Sequence, residues 1–303
     1  MTDTINMSED KKIKIVAHSG QFHTDDIFAV ATLLLVLGDD ATILRSRDEK
    51  VIEGGDYVVD VGLIYDSDRN LFDHHQLGGA GKRENGIPYA SFGLVWKKYG
   101  EQLCGSSEIA QKIDQILVQP IDATDNGVKF IETTIPGVYP YDIGLFFNTF
   151  TPDWKEKDIN IDDIFMEAVQ LAKNVLIREI TKRKNLLEVK HIVEKIYHNT
   201  TDKRLIIFDT FYPSGEVLSK FPEPLFTVFP KDDGDWAIKA IQDDPNSFIS
   251  RKNLPESWAG KNGKELEEIT GVEGCVFCHT GRFLAVAKTK EGVLKLAEIA
   301  LNS

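Results

Sequence analysis

The stretch NLFDHHQLGG, residues 70–79, sets two of the chain's seven histidines, His74 and His75, directly behind Asp73. Adjacent side chains in an extended segment point to opposite faces, so one packing role cannot use both. An acid followed by two imidazoles points to metal or phosphate chemistry. A polar turn that happens to contain histidine is the plainer reading, and the flanking sequence has to decide between them.

Upstream, KIKIVAHSG (12–20) reads as a strand in which Ile13, Ile15 and Ala17 alternate before the glycine. Thr24 is placed to cap a helix running through IFAVATLLLVL, with Asp25 and Asp26 in its first turn, where the helix dipole favours anions. ATILRS (41–46) is a second strand, DYVVDVG (56–62) a third that ends in Asp60 and Gly62, and RNLFDHH a short fourth. Strand, helix, strand, strand with continuous apolar strands predicts a parallel α/β sheet. Ligands of such a sheet gather at the carboxyl ends of its strands.

Downstream, QLGGAGKRENGIP (76–88) is a charged, glycine-rich loop expected to be mobile. Helical stretches follow near 90–99 and 106–120, then the segment IDATDNGV. Residues 161–199 form a long helical region whose apolar positions recur at three and four, read as a bridge between domains. RLIIFD (204–209) opens a second α/β unit, with strands near 225–230, 235–241, 275–279 and 283–287 and a final helix near 289–301. The expected divisions are a disordered lead-in at 1–11, a first domain at 12–160, the bridge at 161–199 and a C-terminal domain at 200–303.

A chain of 303 residues is long enough for two cores. Its longest apolar run, ATLLLVL (31–37), is far short of the ~20 residues that cross a bilayer, so no membrane partner is expected. MTDTINMSEDKK has no apolar core and no arginine, and so resembles neither a secretory signal nor a transit peptide. The net charge of −13 argues against a broad basic face for duplex DNA. An acidic protein still binds a phosphodiester through divalent ions and a local basic patch. Three cysteines, an odd number, argue against a disulfide framework and for a reducing compartment. Cys275 and Cys278 run into His279 but lack the second pair a structural zinc site needs. CVFCH also has the form of a haem attachment, which belongs to oxidising compartments. The two cysteines are read as strand residues.

Four polar motifs follow strands or lie at helix ends: His18-Ser-Gly-Gln-Phe-His23-Thr-Asp25-Asp26, Asp60-Val-Gly, Asp73-His74-His75 and Asp122-Ala-Thr-Asp125-Asn-Gly. Histidine and carboxylate are the ligands of borderline to hard ions such as manganese, magnesium or zinc. Singly, each has a plain structural use: His18 bonded to backbone, Asp25 and Asp26 as first-turn acids, Asp60 and Asp125 in turns. Taken together, that use requires several coincidences at strand ends.

These motifs resemble the DHH phosphoesterase superfamily. Within it, HSGQFHTDDIFAVATL, DYVVDVG, FDHHQ and IDATDNG are similar to the Myg family (melanocyte-proliferating-gene proteins), formerly labelled metal-dependent protein hydrolases. DWAIKAI, SFISRKNLPESWAG and GCVFCHTGRFLAVAKTKEGVLKLA are similar to that family's second half. The likeness covers nearly the whole chain from about residue 12. It implies an α/β fold in which a DHH-type parallel-sheet domain is joined by a long helix to a smaller C-terminal α/β domain. It also implies a dinuclear site, manganese first with magnesium or zinc as alternatives, and 3′-to-5′ exonuclease activity on single-stranded RNA or a short oligonucleotide. A nuclear or mitochondrial location is implied too, although the chain shows no clear targeting segment and the cytoplasm stays open.

The superfamily's usual first motif is a histidine followed by a D-x-D pair. Here the pair reads His23-Thr-Asp25, one residue further from His18 and with a histidine in place of the first aspartate. Carried over with that change, His18, His23 and Asp60 would hold one ion. Asp25, Asp60, His74 and Asp125 would hold the other, with Asp60 bridging. The extra imidazole makes the site less negative and its grip on metal weaker. Asp73 would hold a histidine in its tautomer, and His75 would donate to a phosphate oxygen or the leaving group. Arg251, His279 and Arg282 would grip substrate from the second domain, closing over it. Two other readings remain: a hydrolase of a small phosphate compound such as pyrophosphate or a short oligonucleotide, and a non-catalytic binding relative. Intact metal motifs argue against the last.

Overall fold

The computed structural model describes residues 12–38, 40–244 and 247–303. The lead-in expected at 1–11 lies outside the described residues. The chain divides into two compact units, Met1–Lys184 and Asn185–Ser303.

The first unit is built on β1 (Lys14–Ala17), whose Ile15, Val16 and Ala17 are fully buried. A strand covered on both faces carries a continuous apolar run instead of an alternating one. The chain leaves β1 through α1 (Thr24–Leu37) to β2 (Thr42–Arg45) on one side. It then returns through α2 (Glu49–Glu53) to β3 (Tyr57–Val59) on the other side of β1. That reversal is a topological switch point, and it opens a crevice beyond the carboxyl ends of β1 and β3. β4 (Tyr65–Asp66) and β5 (Leu71–Phe72) complete the order β2-β1-β3-β5-β4. All pairs are parallel except β4 with β5. The edge strand β4 was not expected, because two residues are too few to show a period.

α1 is buried from Asp25 through Leu34 on every face. Its N-cap is His23 and not the expected Thr24, which is already helical. The Asp26 carboxylate closes this end by accepting from the His23 backbone N–H at 3.1 Å. α1 packs against α3 (Ser91–Cys104), where the Phe28 and Phe92 rings lie 5.1 Å apart. The stretch expected as one helix near 106–120 runs as α4 (Ser107–Ile113), a π-helical turn at Asp114–Val118, and α5 (Gln119–Asp125). α6 (Ile143–Asn148) then brings Phe147 against Phe28, ring centroids 5.3 Å apart.

The glycine-rich loop, expected to be mobile, is instead anchored. Arg83 donates to Asp114 and to Asp122, each at 2.8 Å, and its guanidinium lies over Tyr89. Asp122 also accepts the Gly93 backbone N–H at 3.0 Å, so loop, α3 and α5 share one buried carboxylate.

α7 (Ile161–Asn199) spans the expected bridge, and the boundary between the units falls within it. The second unit contains β6 (Leu205–Ile207), β7 (Phe226–Pro230), β8 (Trp236–Ala240), β9 (Cys275–Cys278) and β10 (Leu284–Ala287), in a sheet of order β6-β7-β8-β10-β9. Only β6 with β7 is parallel. A short α8 (Gly215–Leu218) follows β6, and α9 (Gly263–Thr270) precedes β9. α10 (Lys290–Asn302) supplies Leu296 to a core that includes Phe226, Ile238 and Trp258. Cys275 and Cys278 are strand residues, and burial pushes both thiols up, Cys278 to about 11.

A Cβ on Gly93 would stand 1.8 Å from Asp122 Oδ2. Gly93→Ala must therefore break the Asp122–Arg83 pair or shift α3 from α5. We expect a loss of about 3 kcal/mol in urea unfolding. An unchanged midpoint would show that this contact does not hold α5 in place.

Candidate metal centre

Three strand ends and two helix ends converge in the first unit. β1 delivers His18, β3 delivers Asp60, and β5 delivers Asp73, His74 and His75. The start of α1 brings His23, Asp25 and Asp26, and the last residue of α5 is Asp125.

Asp60 lies at the middle. One carboxylate oxygen is 3.3 Å from His18 Nε2, and the other is 3.3 Å from His74 Nε2. Its backbone is left-handed (φ 54°), as is that of Leu63 (φ 58°) two residues past Val61, with Gly62 (φ 97°) between them. Such strain in non-glycine residues persists only where the surroundings enforce it. Asp73 supplies part of that constraint: its Oδ2 accepts the Leu63 N–H at 2.6 Å, while its Oδ1 accepts from the His75 backbone N–H and contacts His75 Nδ1 at 2.8 Å. The histidine that Asp73 holds is therefore His75, and its ring stays half exposed. His74 Nε2 faces Asp125 at 3.1 Å and Asp25 at 3.9 Å.

The acids are buried, and α3 supports them. Ser91 at its first turn donates its backbone N–H to Asp25 at 3.3 Å and its hydroxyl to Asp60 at 2.9 Å. No acidic residue occupies that turn, so the positive end of the helix dipole meets the carboxylates directly. Burial and then the Asp60 and Asp125 charges push the Asp25 carboxyl well above the usual carboxylate range. Burial also raises Asp26, against the pull of His18. Asp60 moves the other way, because His18 and His74 outweigh its burial. Burial pulls both imidazoles down, but their acid neighbours prevail and raise each to about 10.

His18 Nε2, Asp25 Oδ1, Asp26 Oδ2 and His74 Nε2 are buried and lack any partner in hydrogen-bonding geometry. His18 Nε2 and Asp26 Oδ2 are only 2.8 Å apart, yet neither is aligned on the other. Buried nitrogens and oxygens that converge without aligned hydrogen bonds are what an ion would satisfy once it displaces the imidazole protons, and buried orphans are otherwise costly. Among the described residues, three groups have ligand atoms within 4.8 Å of one another: His18 with His23 and Asp60, Asp60 with His74 and His75, and His23 with Asp25 and Asp125. The residues present fit an ion bound by nitrogen and oxygen.

Several contributors were not singled out from sequence. Asp26 faces His18 as well as capping α1. Arg47 lies past β2 with Nη2 3.2 Å from His18 Nδ1, and lines a 560 Å³ cavity with Asp60, Asp73 and His75. Its position after a strand was the available signal. Ser91 had none.

The three residues expected to grip substrate belong to the second unit. Arg251 is corrected: its guanidinium donates to Asp243 and to the carbonyls of Ser219, Phe221 and Pro224, and its side chain is 8% exposed. It ties a loop together and has little left for a phosphate. His279 is exposed at the turn between β9 and β10, with Nδ1 accepting the Gly281 N–H at 2.9 Å. Arg282 sits in the same turn with a left-handed backbone (φ 57°).

A doubly wound sheet with histidines and aspartates at its switch point defines a candidate metal-site α/β protein. The family model described as "Uncharacterised protein family (UPF0160)", whose label is MYG1 exonuclease, matches residues 14–301, and the chain belongs to this MYG1 family. It is 31% identical to the MYG1 protein of Dictyostelium discoideum, over 96% of this chain and 97% of the relative. It is 28% identical to the human protein named MYG1 exonuclease, over 95% and 85% respectively. A solved exopolyphosphatase-related protein from Bacteroides fragilis aligns over 96% of this chain and 92% of its own at 13% identity, with a TM-score of 0.22.

The raised imidazoles carry a pH signature. In the metal-free folded chain His18 and His74 keep protons that the unfolded chain releases near 6.5, so their contribution is full below 6.5 and is lost as pH rises toward about 10. An ion competes with those protons and binds better across the same window. The Tm of EDTA-treated protein should fall between about pH 6.5 and about pH 8.5, and manganese should raise it more at the higher pH. A Tm independent of pH with an equal manganese shift at both values would contradict this.

Proposed function

We propose that the chain is a divalent-metal-dependent phosphodiesterase that removes nucleotides from the 3′ end of single-stranded RNA. Supporting this are the orphaned, buried histidine and aspartate atoms at the switch point, and the exonuclease name carried by relatives from human and cattle. The orphaned cluster is the observation on which the reading rests.

His18, His23 and Asp60 are the proposed ligands of one ion, and Asp25, Asp60, His74 and Asp125 those of a second. Imidazole and carboxylate without thiolate suit manganese, with magnesium or zinc as alternatives. When bound, such a pair lowers the pKa of a water and stabilises charge on the attacking and leaving oxygens. Asp60 would serve both ions, a role supported by its two oxygens facing different histidines. Ser91 and the α3 N-terminus keep Asp25 and Asp60 oriented, and Asp73 fixes His75 with Nε2 turned outward. That Nε2 is the atom proposed to donate to a phosphate oxygen or the leaving oxygen. Water adds to phosphorus, the bond to the 3′ oxygen of the preceding nucleotide breaks, and a nucleoside 5′-monophosphate is released. His279 and Arg282 stay in the proposal as substrate contacts.

Incubating 5′-labelled RNA with manganese, magnesium or EDTA should give a ladder shortened from the 3′ end that EDTA abolishes. Parallel assays on DNA, a dinucleotide and pyrophosphate define the class. Cleavage of pyrophosphate alone would replace the reading with a small-phosphate hydrolase.

The two histidines separate by role. His75→Ala should leave metal content near that of the unaltered chain and lower turnover roughly 100-fold, whereas His74→Ala should lower both. Equal metal loss in the two variants would move His75 into the ligand set, as its place beside Asp60 and His74 allows.

A further inference from the structure

A cavity of about 1060 Å³ opens beside the candidate centre within the first unit, and His23, Asp25 and Asp125 form part of its wall. It is at the upper end of the size range for small-molecule sites. Phe130, Ile131, Tyr139 and Leu145 line it with side chains between 39% and 75% exposed, which leaves apolar and aromatic surface facing the space.

Charge narrows the occupant. The lining holds four carboxylates, Asp25, Asp125, Glu132 and Asp142, against one lysine, Lys129. A chain of phosphates would be repelled from that wall except where ions sit. A neutral aromatic ring would not, and the aromatic side chains offer it a stacking face. Asn148 adds to the lining an amide that both donates and accepts. The cavity shares His23, Asp25 and Asp125 with the proposed ion ligands, so a group seated in it is within reach of a phosphate held at those ions. On a nucleic acid strand the neutral, aromatic group joined to a phosphate is a nucleoside.

We propose that this cavity seats the base of the terminal nucleoside, one nucleotide at a time, with stacking on Phe130 and Tyr139 as the source of affinity. The proposal rests on the phosphodiesterase reading for the direction in which the strand enters. It assigns the two aromatic residues to substrate binding and to no other task.

The test uses the full chain with manganese, titrated calorimetrically with AMP, ribose 5-phosphate and inorganic phosphate. AMP should bind roughly tenfold or more tightly than ribose 5-phosphate. The double variant Phe130→Ala, Tyr139→Ala should bind AMP no better than ribose 5-phosphate, with phosphate affinity unchanged. Both side chains are substantially exposed, 45% and 75%, so their truncation leaves the core intact, and an unaltered Tm confirms it. As a second readout, 2-aminopurine riboside 5′-monophosphate should lose fluorescence on binding to the unaltered chain and not to the variant. Equal affinity for AMP and ribose 5-phosphate, or an AMP preference and quenching that survive the double substitution, would overturn the assignment. If the chain cuts no oligonucleotide yet prefers AMP through these residues, the reaction falls and the cavity assignment stands. If it cuts RNA without that preference, the reverse holds.

Discussion

A buried carboxylate persists only beside a donor or a positive charge, and the first unit buries Asp25, Asp26, Asp60, Asp73 and Asp122. Each draws on a different source. Asp122 has Arg83 and the Gly93 N–H; Asp73 has the backbone of Leu63 and His75; Asp25 and Asp60 lean on the first turn of α3. Asp26 keeps one oxygen on the α1 cap and leaves the other facing His18. The position of α3, the strained backbone at Asp60 and the anchoring of the glycine-rich loop all follow from satisfying these acids. Among the oxygens of these acids, Asp25 Oδ1 and Asp26 Oδ2 stay buried without a hydrogen-bond partner, as do His18 Nε2 and His74 Nε2 beside them.

That remainder is what the candidate site offers a ligand. Asp122 and Asp73 are fully engaged and act as supports, whereas Asp25, Asp26, His18 and His74 each keep a lone pair or proton uncommitted by geometry. His23 adds an imidazole to a cluster otherwise rich in carboxylates. It lies on the exposed side and belongs to two of the three ligand groups, so it links the Asp60 region to Asp25 and Asp125. The large apolar cavity opens on that same side.

Much of this was readable from the chain. Ile15 to Ala17 and Tyr57 to Val59 are short apolar runs closed by His18 and Asp60, and the switch-point rule brings those two residues together once both strands are parallel. The α7 bounds followed from a period sustained over ten turns. What escaped detection depends on tertiary geometry. β4 is too short for a pattern. Ser91 matters because of where the α3 N–H groups point, and nothing in IPYASFG records that direction. Arg251 looked available because the carbonyls of Ser219, Phe221 and Pro224 that hold it are about thirty residues away in sequence. Asp26 looked like an ordinary first-turn acid, and it is one, with a second oxygen turned to His18.

The central claim is that His18, Asp25 and His74, whose buried atoms lack hydrogen-bond partners, are metal ligands beside Asp60, and anomalous diffraction from crystals grown with manganese tests it most directly. Two peaks about 3.5–4 Å apart, on either side of Asp60 and within bonding reach of His18 and His74, are expected. A map without any peak beside Asp60, with His18 still turned to Asp26, would contradict it.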